Sequence, residues 1–315
     1  MPLDPIVKQL MDLVPADLPR WETLTPDAAR ARLRDGIIRI GEPERVALVE
    51  DRTIAGPGGV IPIRIYTPGT HGPYPAVTYF HGGGWVIGDI DTHEPVCRAL
   101  ANAAACVVIS VDYRRAPEHK FPAAAEDAYA VTDYCARHAA EFDVDPMRIA
   151  VAGDSSGGNL AAVVALMARD RGGPGLSYQA LIYPVTDHNF DRDSYREDAS
   201  GAFLSTATMR WFWSQYLADQ ADAADPYASP LRARSLAGLP PALIITAEYD
   251  PLRDEGEAYA ARLSGAGVTT QLHRYDGMVH WFVSMAMFIP AGKDAIAEVA
   301  GALRSAFAST TPATP

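Results

Sequence analysis

Cysteine is scarce in this sequence. Cys97, Cys106 and Cys135 are the only copies, and none of them lies in a C-x-x-C pair. An odd number of cysteines without such spacing does not support a disulfide framework. We therefore expect free thiols and a protein of the reducing cytoplasm.

Lysine is scarce as well, and acidic residues outnumber basic ones by 39 to 27. Lysine occurs three times, no basic cluster is present, and the 315 residues carry a formal net charge of −12 at pH 7. Such a chain would repel phosphate backbones, so no nucleic acid partner is expected. No stretch reaches the roughly 18 uninterrupted apolar residues of a membrane helix. The N-terminal stretch has an early acidic residue and no apolar run with a cleavage site, so neither a signal peptide nor membrane association is expected.

The short motifs of metal-dependent and nucleotide-binding proteins are missing. Cys97 stands where an H-E-x-x-H motif beginning at His93 needs its second histidine, and Pro95 is expected to interrupt the helix there. Neither G-x-x-x-x-G-K-[ST] nor G-x-G-x-x-G occurs. No metal and no organic cofactor are therefore expected.

The pattern of apolar residues predicts an α/β fold. Strand-length apolar runs alternate with helix-length stretches, which is typical of a mostly parallel central sheet with helices on both faces. Strands are expected at residues 46–54, 60–66, 75–80, 106–111, 148–152, 178–183, 242–247 and 268–275. Helices are expected at residues 3–14, 25–33, 93–105, 122–138, 158–168, 209–217 and 295–307.

Two segments fall outside this alternation. Residues 1–45 carry two short amphipathic helices before the first strand, and residues 185–218 change from a polar stretch to an aromatic helix. We expect these two segments to form the parts of a helical cap. The core is then built from residues 46–184 and residues 219–315.

The central motif is G-D-S-S-G at residues 153–157, between a predicted strand and a predicted helix. Glycines two residues before and after Ser155 allow a sharp turn without Cβ clashes, and the helix N-terminus directs its amides toward the serine oxygen. The motif indicates that Ser155 is a nucleophile. The pentapeptide alone also occurs in ordinary turns, so the other segments have to support this interpretation.

A second glycine-rich loop, H-G-G-G-W at residues 81–85, follows the strand predicted at residues 75–80. Its amides can approach a ligand closely, and an HGGG-type loop supplies an oxyanion donor in lipases and esterases. The amides of Gly83, Gly84 and Ser156 are therefore the candidate oxyanion donors. A flexible turn is the alternative. The supporting residues of the two motifs are His81, Gly82, Trp85, Gly153 and Gly157.

Two further strand ends carry an acid and a histidine. Asp250 follows the strand predicted at residues 242–247, and His280 follows the one at residues 268–275. Ligands of such sheets bind at the carboxyl ends of the strands, so we expect Ser155, Asp250 and His280 to meet there. Their order along the chain is the α/β-hydrolase order. His280 would accept the Ser155 proton, and Asp250 would orient the imidazole.

Other residues compete for these roles. Asp254 and Glu255 are alternatives to Asp250, but they are expected inside the following helix rather than at a strand end. The alternatives to His280 are His81, His93, His119 and His273. His81 is expected to fix its own loop, and His273 to be a structural residue of a strand.

Together these segments resemble the bacterial hormone-sensitive-lipase-like carboxylesterases over almost the whole chain. The resemblance implies a two-part cap, a cytoplasmic enzyme, a small-molecule ester substrate of short to medium acyl chain and a possible homodimer. It leaves the natural substrate open. The matching motifs are P-L-D-P at 2–5, H-G-G-G-W at 81–85, D-Y-R and A-P-E-H within 112–119, G-D-S and G-G-N-L-A-A within 153–162, D-P-L-R-D at 250–254, and His280.

The sequence departs from that family at two positions. Ser156 replaces the usual alanine, which should change little because only its amide is needed. Trp281 stands where glycine usually follows the histidine, and we expect it to narrow the pocket, with simple loop packing as the alternative. Trp211 and Trp213, in the predicted aromatic helix, are further candidate pocket residues, although packing is the commoner role for such aromatics.

The expected activity is hydrolysis of carboxylic esters through an acyl-enzyme intermediate. One alternative is a different acyl hydrolase or acyltransferase, acting on amides or lactones. The other is a catalytically silent hydrolase fold that binds a small ligand.

Overall fold

The computed structural model describes residues 2–15, 17–37, 43–69, 71–197 and 203–309. The strands of the described residues are β1 Leu48–Gly56, β2 Gly59–Thr67, β3 Tyr74–Phe80, β4 Val107–Val111, β5 Val144–Asp154, β6 Tyr178–Ile182, β7 Ala242–Tyr249 and β8 Thr270–Val279. Their helices are α1 Pro5–Asp12, α2 Pro26–Ile37, α3 Ile90–Ala104, α4 Ala123–Arg137, α5 Ser156–Arg171, α6 Asp193–Glu197, α7 Thr206–Tyr216, α8 Arg253–Gly265 and α9 Pro290–Ser309.

The described strands form one sheet in the order β1-β2-β4-β3-β5-β6-β7-β8. β2 pairs with β1 and with β4 in antiparallel fashion. All other neighbours run parallel. This topology confirms the predicted α/β fold with a mostly parallel central sheet. In the same part of the chain, no helix combines the length and the apolar character needed to cross a bilayer.

Helices cover both faces of the sheet, and alternate strand residues belong to two separate cores. In β5, Val151 packs in the core that includes α4, α5 and α8, whereas Ala150 and Ala152 pack in the core that includes α3 and α9. A strand covered on both faces has no polar side, which explains why residues 149–152 of β5 form a continuous apolar run in the sequence.

Several sequence expectations about element boundaries are wrong. β5 extends to Asp154, two residues beyond the predicted end, and β8 extends to Val279, directly before His280. α3 passes through Pro95 without a break, contrary to the expectation that this proline interrupts it. A proline removes one helical hydrogen bond, but a capping box between Asp89 and Thr92 and the burial of one face retain the helix.

The segments predicted as the cap contain α1 and α2 before the sheet, and α6 and α7 between β6 and β7. Their division from the core stays a prediction. Parts of both segments, at residues 38–42 and 198–202, lie outside the described residues, as does the Ser/Thr/Pro-rich end at residues 310–315.

Arg30 joins α2 to the loops at the edge of the core. Its guanidinium donates to the carbonyl oxygens of Val86 at 2.8 Å and Ala116 at 2.9 Å. It also forms a bidentate pair with Glu118, at 2.8 and 2.6 Å. These contacts hold α2 beside the residues that follow the glycine loop.

Replacing Glu118 with glutamine should lower stability in a pH-dependent way. The hydrogen bond from Arg30 lowers the pKa of Glu118 to about 2. The charged pair therefore stabilises the fold fully above the unfolded pKa of a glutamate, about 4.3, and the stabilisation is lost as pH falls toward the folded value. In urea titrations, the difference in unfolding free energy between parent and Glu118→Gln should be largest at pH 7 and smaller at pH 3.

The matched control is Asp12→Asn, which breaks an exposed pair with Lys8. Because exposed pairs contribute little, this variant should stay within about 1 kcal/mol of the parent at pH 7. A Glu118→Gln difference that is constant from pH 7 to pH 3 would contradict the prediction.

Candidate active site

Ser155 lies at the sharp turn between β5 and α5. Its backbone has φ +56°, a left-handed conformation that is uncommon outside glycine. Its amide donates to the carbonyl of Ile182 at 2.9 Å. A Cβ on Gly157 would overlap the carbonyl oxygen of Phe80, and a Cβ on Gly153 would overlap that of Gly157. The close packing of this turn therefore requires both glycines.

The side chains of Ser155, Asp250 and His280 meet at the carboxyl end of the sheet. His280 Nε2 lies 3.0 Å from Ser155 Oγ, and His280 Nδ1 lies 2.7 Å from Asp250 Oδ2. All three side chains are buried. Because a carboxylate can only accept, Nδ1 carries the proton, and Nε2 is free to accept the serine proton. The arrangement has the geometry of a nucleophile, a base and an orienting acid.

Neighbouring groups hold the acid and the base in place. The other oxygen of Asp250, Oδ1, accepts a hydrogen bond from the Leu252 amide at 2.9 Å. The ring of Tyr183, at the end of β6, packs 4.6 Å from the ring of His280. The imidazole is thus fixed by its two hydrogen bonds and by packing.

The glycine loop turns back after β3. Gly83 and Gly84 have φ values of +116° and +59°. The carbonyl of Gly83 accepts from the amides of Val86 and Ile87, while the amides of Gly83 and Gly84 find no backbone acceptor within the described ranges. Ser156 is the first residue of α5, so its amide has no partner inside the helix. Three amides are therefore available for a ligand.

His81 and Trp85 anchor the two ends of the glycine loop. His81 stacks on Tyr113 at 4.2 Å, and burial lowers the pKa of His81 to about 3, so its ring is neutral. Trp85 stacks on Tyr216 of α7 at 4.1 Å and lies 4.7 Å from Trp213. Trp213 is buried in this aromatic cluster.

Phe212, which the sequence interpretation did not single out, lies over the glycine loop. A Cβ on Gly84 would overlap its ring. Trp211, the candidate beside it, is partly buried with its ring 5.1 Å from that of Phe212. The aromatic run of α7 was the available signal, but the run alone does not say which ring faces the loop.

Trp281 borders a cavity of about 280 Å³ beside α2. Its φ of +73° is left-handed, a position that favours glycine. Its ring meets Trp21 edge to face at 5.7 Å, and the guanidinium of Arg32 lies 4.0 Å from the centre of the Trp21 ring. Gly83 lines the same cavity, which therefore adjoins the glycine loop. Its apolar lining includes Val14, Leu18, Leu33, Phe203 and Met285.

The alternatives for the acid and the base are engaged elsewhere. His119 is exposed. Burial raises the pKa of Glu255 to about 8. Within the described ranges, no group of three or more His, Cys, Asp and Glu side chains could hold a metal ion. Four of the alternatives form hydrogen-bond contacts with other residues: Asp254 with Ser194, Glu255 with Thr186, His93 with Asp154, and His273 with Glu298.

Comparison with known proteins gives the family. A family model described as the alpha/beta hydrolase fold matches residues 77–284. The chain belongs to the alpha/beta hydrolase family. The esterase LipI of Mycobacterium tuberculosis is 44% identical over 298 residues, covering 93% of this chain and 92% of that protein. The carboxylesterase NlhH of the same species is 41% identical over 313 residues, covering 96% of each.

Solved structures of esterases are similar to this chain over nearly its whole length. A hyperthermophilic esterase from the archaeon Pyrobaculum calidifontis has a TM-score of 0.93 and 44% identity, covering 99% of this chain and 100% of that chain. A thermostable esterase from Pseudomonas putida has a TM-score of 0.93 and 41% identity, covering 96% and 97%. These likenesses confirm the resemblance to the hormone-sensitive-lipase-like carboxylesterases.

In this alpha/beta hydrolase, Gly84→Ala should destabilise the fold through two effects. The left-handed backbone costs about 1–2 kcal/mol for alanine, and overpacking against Phe212 costs about 1–3 kcal/mol more. Urea denaturation should therefore show a loss of about 2–5 kcal/mol. The matched control is Gly172→Ala, since Gly172 has φ +62° with open space around it. Equal losses in the two variants would rule out the collision with Phe212.

Proposed function

We propose that this alpha/beta hydrolase hydrolyses carboxylic esters through an acyl-enzyme intermediate formed on Ser155. The observation that carries the proposal is the hydrogen-bonded relay of Ser155, His280 and Asp250, with distances of 3.0 and 2.7 Å. The names of the relatives, esterase and carboxylesterase, support an ester as the substrate.

The first step is attack of Ser155 Oγ on the carbonyl carbon of the ester. Nε2 of His280 takes the serine proton, and Asp250 stabilises the resulting imidazolium. When the tetrahedral intermediate collapses, the carbon–oxygen bond to the alcohol breaks, and His280 returns its proton to the leaving oxygen. In the second step, water attacks the acyl-enzyme with His280 again as the base, which releases the acid and regenerates Ser155.

The negative oxygen of the tetrahedral intermediate is bound by the amides of Gly83, Gly84 and Ser156. The left-handed backbone of the two glycines and the start of α5 support this role. Fixed donors of this kind need no reorganisation during the reaction, and each contributes roughly 10²–10³ in rate.

The substrate is a small-molecule ester, and no cofactor takes part in the proposed steps. The volume of the cavity beside Gly83, about 280 Å³, supports a short to medium chain. Cys97, Cys106 and Cys135 are buried free thiols, which supports a cytoplasmic location. The homodimer implied by the resemblance stays a prediction.

Hydrolysis of p-nitrophenyl esters from acetate to decanoate tests the function. The parent should turn over the short esters, and Ser155→Ala should lose activity by about 10⁴-fold or more, because the nucleophile is gone. Equal folding of the two proteins, checked by circular dichroism, is the control. A parent that hydrolyses only anilides or lactones would place it among the other acyl hydrolases. A parent inert on all of these, binding ligands only, would contradict the proposal.

Trp281→Gly should extend the range of acyl chains. Glycine tolerates the left-handed backbone, and loss of the indole enlarges the cavity that Trp281 shares with Trp21. We expect kcat/KM for octanoate and decanoate to rise relative to acetate by about tenfold, the range that one or two methylenes are worth in an apolar pocket. Trp211→Ala, which removes a ring on α7 instead, is the comparison variant. An unchanged chain-length profile would show that Trp281 packs in its loop without limiting the acyl chain.

A further inference from the structure

A second aspartate–histidine pair lies beneath the glycine loop, and the proposed reaction does not use it. Asp154 is the last residue of β5, directly before Ser155, and His93 belongs to α3. His93 Nε2 lies 3.4 Å from Asp154 Oδ2. The two residues are 1% and 5% exposed, so their polar groups must find partners inside the protein.

The carboxylate of Asp154 connects the elbow to the glycine loop. Its Oδ1 accepts hydrogen bonds from the hydroxyl of Tyr79 at 2.8 Å and from the amide of Gly82 at 3.1 Å. A Cβ on Gly82 would overlap Oδ2 of the same carboxylate. The backbone of the loop therefore rests directly on this side chain, one residue before the oxyanion donors begin.

The hydrogen bonds around His93 indicate its protonation. Thr92 Oγ1 donates its single hydrogen to the Asp89 carbonyl at 2.8 Å and lies 2.9 Å from His93 Nδ1, so Nδ1 is the donor of that contact. Burial lowers the pKa of His93, but the charges and hydrogen bonds of Asp154 and Asp89 together outweigh burial, and the pKa is raised. The pKa of Asp154, which burial would raise, is lowered by His93. Each group therefore favours the charged form of the other, and the amide of Gly82, 3.2 Å from His93 Nε2 and 3.1 Å from Asp154 Oδ1, contacts both.

We propose that Asp154 and His93 are positioning residues that hold the oxyanion amides at the correct position relative to Ser155. Asp154 shares the chain with the nucleophile and binds Gly82, so its bond sets the offset between Ser155 and the amides of Gly83 and Gly84. Ionised acceptors bind an amide about twice as strongly as neutral ones. His93 keeps the carboxylate charged and fixes its second oxygen. This inference rests on the proposed function, because it assigns the pair to that reaction.

The experiment compares Asp154→Asn, which keeps the shape and one acceptor, with His93→Gln, which removes the imidazole. Steady-state kinetics on p-nitrophenyl butyrate should show kcat about 10- to 100-fold lower, as expected for displaced oxyanion donors, with KM within about threefold. Affinity for a trifluoromethyl ketone, whose adduct on Ser155 carries an oxyanion, should fall by a similar factor. The double variant should lose no more than the worse single one, because the pair acts as a unit.

The control is Thr132→Val, which breaks a buried hydrogen bond of 3.0 Å to Thr78 away from the loop. It should lower the melting temperature and leave kcat within twofold. The proposal is overturned if both pair variants keep the parental kcat and ketone affinity, or if only KM changes. Should Asp154→Asn fail to fold, His93→Gln decides alone. A parent without esterase activity, or an active Ser155→Ala, would instead defeat the proposed function.

Discussion

The backbone of the glycine loop packs against the backbone of the nucleophile elbow, and the rest of the site depends on this contact. β3 and β5 are parallel neighbours in which Phe80 pairs with Gly153, so both loops leave the sheet at the same level. The carbonyl of Phe80 occupies the space that a Cβ of Gly157 would need. Glycine is therefore required in the elbow by the neighbouring strand as well as by its own turn.

The hydrogen bond between Ser155 and His280 joins the ends of two strands that are not neighbours in the sheet. β5 and β8 are three positions apart, a separation of roughly 14 Å at the usual strand spacing. β8 continues to Val279, which carries His280 out over the sheet edge toward Ser155. The end of β6 supports both partners, since the Ile182 carbonyl holds the Ser155 amide and the Tyr183 ring packs on His280. A single strand end between the two groups thus fixes their relative position.

Local patterns in the sequence were enough to predict the parallel sheet and the strand ends that carry Ser155, Asp250 and His280. The strand boundaries were harder. Asp154 is a poor strand former that stays in β5 by pairing with Ile182. Asp276 and Gly277 lie where the pairing of β8 with β7 is irregular, and Gly277 has a φ of +74°. The partner of His93 is 61 residues away, and no spacing rule links the two. Phe212 and Trp21 were missed for the same reason: contacts between a cap and a loop arise only when the chain is folded.

The two sides of the candidate site differ in how the neighbouring helices meet the glycine loop. On the α7 side, Phe212 packs on Gly84 and Tyr216 packs on Trp85, so these side chains hold the loop. A change in α7 therefore alters the packing of the loop. On the other side, the Trp21–Trp281 contact lies beside a cavity that adjoins the loop at Gly83. Pocket size can vary there while the contacts of Gly84 and Trp85 with α7 stay in place, which makes that side the freer one for a change in specificity.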